Sequence, residues 1–196
     1  PSKNSLKLPQ LISLKASAES NLSDVISKNT NYNNKVNERI TAFSGLKSLS
    51  TRLVNALQTT DATPETIGNA KTFNRKMQGK KASSAQTPTD PNTPAPTTIS
   101  TSQQSYDQLI QHLAGLNSVL EAETSYTPNE TDLQVATIQA KIADLTAKNT
   151  AVATAYTSIS NSRITRNETL YSSTTGLVET ANEVKKYVKS VFGTSS

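Results

Sequence analysis

From Leu22 onward the chain steps through Val25, Asn29, Tyr32, Val36, Arg39, Phe43, Leu46, Ser50, Leu53 and Leu57, alternating threes and fours. A 3.5-residue period held over five heptads fits one kind of element, a long helix with a narrow seam that supercoils against a partner. Ile26, Ile40 and Val54 stand beside this seam and are expected to widen it. The seam extends upstream to about Leu8, so the pattern predicts a helix over about 8–58, with Gly45 as the point where it bends.

A second segment repeats the first. Leu22-Ser-Asp24-Val25-Ile-Ser-Lys28-Asn29-Thr30 aligns with Ile142-Ala-Asp144-Leu145-Thr-Ala-Lys148-Asn149-Thr150 at an offset of 120, and Asn37-Glu-Arg39-Ile40-Thr41 aligns with Asn161-Ser-Arg163-Ile164-Thr165 at 124. Leu46 to Val54 matches Leu170 to Val178 at the same 124. Four added residues are the size of a coiled-coil stutter, which shifts a seam without ending the helix. Residues 22–54 and 142–178 therefore read as two copies of one helix.

Between them the chain changes character. Thr63 before Pro64 is a good helix start, and a short helix is expected over 64–82. Pro88, Pro91, Pro94 and Pro96 place four prolines in nine positions of a Ser/Thr-rich stretch, which forbids a helix and makes 83–101 an extended linker. Tyr106, Leu109, Leu113, Leu116 and Leu120 predict a helix over about 102–124. Thr127-Pro128 repeats the earlier start signal, so a long helix is expected over about 128–192, with a break near 172–176. Its seam runs through Val135, Ile138, Ile142, Leu145, Asn149, Val152, Tyr156 and Ile159, then Leu170, Leu177, Ala181, Val184, Val188 and Val191. No segment alternates like a strand. The expected fold is all-α: an elongated, coiled-coil-like helical bundle with two long duplicated terminal helices and two shorter ones between. Its two halves are residues 1–82 and 102–196.

Composition agrees with a narrow core. Apolar residues are 34% of the 196, and Ser, Thr and Asn supply about a third, so the helices must lean on mutual packing more than on propensity. Residues 1–82 carry 13 Lys/Arg against 5 Asp/Glu, and residues 83–196 carry 7 against 10. The +8 and −3 halves attract each other. With no Cys there is no disulfide framework, thiolate metal site or Cys nucleophile. No apolar run reaches the 18–20 residues of a membrane span, and Pro1–Gln10 lacks the apolar middle of a secretory signal. The cytoplasm is slightly favoured, with an extracellular assembly as the alternative.

Little in the chain suggests chemistry. His112 is the sole histidine, without a triad-like setting or the paired Glu-x-x-His of a di-iron bundle. Its expected role is a helix-boundary side chain. Gly79-Lys80 lacks the Walker pattern. No catalytic, cofactor or metal residue is proposed, and no enzyme is expected. Asn29 and Asn149, both in Lys-Asn-Thr triplets on the seam, are candidates to hydrogen-bond each other and fix register; Arg39 and Arg163 are matched in the same way. Lys71, Arg75, Lys76, Lys80 and Lys81 form a candidate patch for nucleic acid or another anionic surface, though cations also collect at helix C-termini for electrostatic reasons alone.

In its general plan of long pairing terminal helices, abundant Ser/Thr/Asn, no Cys, no Trp and a variable middle, the chain resembles flagellins and secretion-needle subunits. That likeness covers no diagnostic motif, and the duplication is no part of their plan. The leading expectation is a non-enzymatic structural or interaction protein working through its surface, with a protein partner or self-association. A self-assembling filament or tube subunit, and a binder of nucleic acid or an anionic surface through the basic helix end, are the alternatives.

Overall fold

A computed structural model describes residues 3–79 and 104–193, which form an all-α bundle with no strand among them. A 3-10 turn at Asn4–Leu6 precedes α1 (Leu8–Phe43), followed by α2 (Leu46–Leu57), α3 (Pro64–Gln78), α4 (Tyr106–Ala122), a 3-10 turn at Thr131–Leu133, α5 (Val135–Tyr171) and α6 (Leu177–Phe192). The stretch 83–101, and Lys80 and Lys81, lie outside the described residues.

The helix ends follow local chemistry. Gly45 sits at φ 80°, with open space around its α-carbon. This left-handed conformation, cheap only for glycine, ends α1 and turns the chain into α2. Thr59 and Thr60 return their hydroxyls to the carbonyls of Ala56 and Leu57, each at 2.7 Å, satisfying acceptors that the end of α2 leaves open. Thr63 caps α3 by accepting from the Thr66 amide at 3.2 Å, and Gly79 closes it short of position 82. Ser105 caps α4. The described chain also breaks at 172–176. Here Gly176 is buried, and a β-carbon on it would meet the backbone of Ser172 at 2.5 Å; only glycine fits so tight a turn.

Thr127-Pro128 does not start a helix; α5 begins seven residues later, at Val135. Tyr126 and Leu133 are both buried, and the Tyr126 hydroxyl donates to the Leu133 carbonyl at 2.9 Å. Upstream, Ser125 donates from its amide and hydroxyl to Glu123 Oε1 at 3.2 and 2.7 Å. These contacts hold 123–134 as a structured loop against whatever the local start signal favours.

The chain divides into two compact units. One comprises residues 38–150 and the other residues 1–37 with 151–196. The 38–150 unit has a well-filled core: Leu53 and Leu57 of α2, Ala70 and Met77 of α3, Leu113 and Leu116 of α4 and Leu145 of α5 are completely buried. The other unit buries mostly small side chains, Ala18, Val152, Ala155, Ile159, Ser162 and Thr180. Its α1 and α5 segments run antiparallel, linked by Asn21 to Thr169 (2.8 Å), Asp24 to Ser162, and the tilted rings of Tyr32 and Tyr156 (6.0 Å). Lys3 pairs with Glu183 of α6.

Several seam assignments need correction. Ile26 (68% exposed) and Ile40 (52%) do not widen the packed face, because one residue off the seam is a rotation of about 100°. Tyr156 is exposed by 57%; its ring lies over Tyr32 at the edge of the pairing instead of inside it. In α6, Thr180 and Val184 face inward, whereas Ala181, Val188 and Val191 are exposed.

Candidate functional site

The register candidates come together, though not as an Asn–Asn pair. Arg39 donates from Nη1 to Asn149 Oδ1 at 3.0 Å, and Asn149 Nδ2 donates to Asp107 Oδ1 at 2.7 Å. The Arg39 guanidinium also lies 4.0 Å from the centre of the Tyr106 ring, a cation–π distance, and Phe43 meets Tyr106 edge-on at 4.7 Å. One turn of α1, the start of α4 and the middle of α5 thus share one half-buried polar cluster. Lys148 donates to Glu38 at 2.9 Å beside it, which holds the Lys148 ammonium above its usual range through that hydrogen bond and the Glu38 charge. Within the other unit Arg163 reaches Asn29 Oδ1 at 3.5 Å, at the limit of a hydrogen bond. Each Asn faces an Arg of the other segment because α1 and α5 run antiparallel, which keeps Asn29 and Asn149 apart.

The basic candidates on α3 are less concerted. Lys71, Arg75 and Lys76 are exposed. Arg75 donates to Thr72 Oγ1 at 3.1 Å, and the Lys76 ammonium lies 5.8 Å from the Phe73 ring. Both sit in the last turn of α3, where the open carbonyls favour cations. Nearby, Lys47 of α2 donates to the Gln78 carbonyl at 3.3 Å.

His112 is more deeply placed than a boundary residue. It is 8% exposed, its Nε2 finds no hydrogen-bond partner among the described residues, and burial together with the Lys76 charge pushes its pKa below the ordinary 6.5. Asn117, five residues on, is 4% exposed, and its Oδ1 has no partner among the described residues. On an adjoining face of α4, Gly115 brings the helix so close to α3 that a β-carbon there would lie 2.4 Å from Phe73 Cε1. An open groove of about 440 Å³ follows this contact, lined by Thr66, Asn69 and Phe73 of α3 and by Ser118, Val119 and Glu123. Among the described residues no group of acids and histidine is arranged to hold a metal ion, and no helix is long and apolar enough to cross a membrane.

Heptad counting missed the surface of the unit formed by 1–37 and 151–196. Leu8, Ile12, Leu22 and Ile26 are 69, 59, 43 and 68% exposed. At about 100° per residue they fall within roughly 80° of arc on α1, apart from the arc of Leu14, Ala18 and Val25 that packs inward. Their angular grouping is the signal that was present in the sequence. At the end of α6, Tyr187, Val188, Val191 and Phe192 are 41, 40, 54 and 70% exposed. No protein-family model, curated protein or solved structure matches this chain.

Proposed function

We propose that this protein is a non-enzymatic helical scaffold that works through its surface, engaging a protein partner or further copies of itself. One observation carries this reading: Leu8, Ile12, Leu22 and Ile26 share one face of α1, and none of the described residues of its own unit covers them. The face runs about 27 Å along the helix. Exposed apolar groups clustered on one face mark interaction surfaces; here the exposed Lys15–Glu19 pair at 3.6 Å separates Leu8 and Ile12 from Leu22 and Ile26, giving two apolar ends with a charged centre. The Arg39–Asn149–Asp107 cluster has the character of a register device in this scaffold.

The test is Ile12→Ser with Ile26→Ser, read by sedimentation velocity across a concentration series and by cross-linking in the native assembly. Both positions are exposed, so helicity and urea midpoint stay near those of the parent, while association or the native cross-links are lost. A parent protein that is monomeric at every concentration, with native cross-links unchanged by the double substitution, overturns the reading. Open-ended growth with concentration identifies a filament subunit, the self-assembling form of the same proposal.

A further inference from the structure

We infer that the last two turns of α6 form a docking surface for an anionic lipid bilayer, lying in its interface without spanning it. Seen down the helix at about 100° per residue, Tyr187, Val191, Val188 and Phe192 occupy one continuous arc of roughly 140°, and Lys185, Lys189 and Lys186 occupy the adjoining arc of roughly 100°. All seven side chains are exposed. None of the three lysines makes an ion pair among the described residues, and Glu183, one turn before Lys186 and Tyr187, is taken by Lys3. Apolar side chains on one face bordered by lysines, in a helix of low overall hydrophobicity, is the design of a helix that rests in the headgroup layer. The aliphatic stems of the lysines lie along the apolar arc while their ammonium groups reach anionic headgroups.

Charge selects this occupant over a second copy of the chain. The sequence ranges 1–37 and 151–196 hold 10 Lys/Arg and 5 Asp/Glu, against 10 and 10 in 38–150, so the whole net charge of +5 belongs to the unit that carries α6. Two such surfaces repel; an anionic bilayer attracts. This inference concerns a surface other than the apolar stripe of α1 and stands whether or not that stripe binds a protein.

The experiment is co-sedimentation of the full chain with vesicles of pure phosphatidylcholine and with equimolar phosphatidylcholine and phosphatidylglycerol. Binding is expected to the anionic vesicles, weakened by salt. The triple substitution Lys185→Gln, Lys186→Gln, Lys189→Gln lowers it about a hundredfold, at roughly fivefold per lysine near a charged surface. Val191→Ser with Phe192→Ser also lowers it, with far-UV circular dichroism unchanged because both side chains are already exposed. Lys47→Gln with Lys71→Gln and Lys76→Gln, around α3, leaves it intact. Equal affinity for neutral vesicles, no binding to either, loss of binding only with the α3 set, or a stronger association with duplex DNA than with the anionic vesicles each overturns the inference. So does lipid-free self-association that the Val191 and Phe192 substitutions abolish.

Discussion

Arg39 and Asn149, 110 residues apart in sequence, meet through a 3.0 Å hydrogen bond that ties the last turns of α1 to the middle of α5. Arg39→Met removes a charged hydrogen bond and the contact over Tyr106, an expected loss of about 1–3 kcal/mol in urea unfolding. Asn149→Ala costs a similar amount because it releases both Arg39 and Asp107. The double variant loses less than the two losses together, by about 1 kcal/mol. Arg39→Lys does not restore stability, since a lysine cannot both reach Asn149 and lie flat on an aromatic ring. Strict additivity of the two single losses refutes the coupling.

Gly115→Ala places a methyl group where the Phe73 ring now lies. Overpacking of this kind costs about 1–3 kcal/mol, offset by about 1 kcal/mol from the better helix propensity of alanine. The net expectation is a destabilisation of about 0–2 kcal/mol, measured by urea unfolding. Phe73→Leu in the same background recovers part of it. A stabilised Gly115→Ala variant means that Phe73 swings aside freely.

Tyr126 is 6% exposed, and burial, reinforced by Glu130 and Asp132, pushes its phenol up to about 12 from the ordinary 10.0. Folding therefore favours the neutral phenol. Its contribution is complete below pH 10 and disappears as the pH rises from there through about 12. Phenolate absorbance is expected to develop one late step that Tyr126→Phe removes. That variant also loses the 2.9 Å bond to Leu133, at about 1 kcal/mol near neutral pH, and its stability falls less steeply on the alkaline side.

His112 gives the opposite dependence. Its folded-state pKa is lowered first by burial and then by Lys76, so folding favours the neutral imidazole. That contribution is present above the ordinary pKa of 6.5 and is lost as the pH falls from there through the lowered folded-state value. The urea midpoint of the parent declines with acidification over this range. His112→Leu flattens the decline, and Lys76→Met reduces it by removing the neighbouring charge. Identical pH profiles for the parent and His112→Leu exclude the histidine as the source.

Beyond Leu22, which is 43% exposed, the seam was legible across the bend at Gly45. Val25, Asn29, Tyr32, Val36, Arg39 and Phe43 are half-buried, and Leu46, Ser50, Leu53 and Leu57 fully buried. Periodicity finds these positions because a helix in a bundle has one face to bury. It did not reveal the direction of pairing, and that direction decides that Asn29 faces Arg163 and Asn149 faces Arg39. Nor does a local start signal know its tertiary surroundings. Thr63-Pro64 opens a helix with the Thr66 amide free to be capped, while Thr127-Pro128 lies between two buried anchors, Tyr126 and Leu133, that hold the backbone otherwise. The exposed arcs of α1 and α6 escaped for a related reason: heptad counting asks which residues pack, and hydrophobicity alone does not distinguish a packed face from an uncovered one.

Apart from Val152 and Ile159, the interior between α1, α5 and α6 is filled by the small side chains Ala18, Ala155, Ser162 and Thr180. Parting those helices wets little new hydrocarbon, so the step has a smaller free-energy cost than opening the leucine-filled interior of residues 38–150. Amide protons along 8–37 and 151–192 accordingly exchange with deuterium ahead of those in α2 and α4. A binding partner that clamps these helices together would act as their missing core.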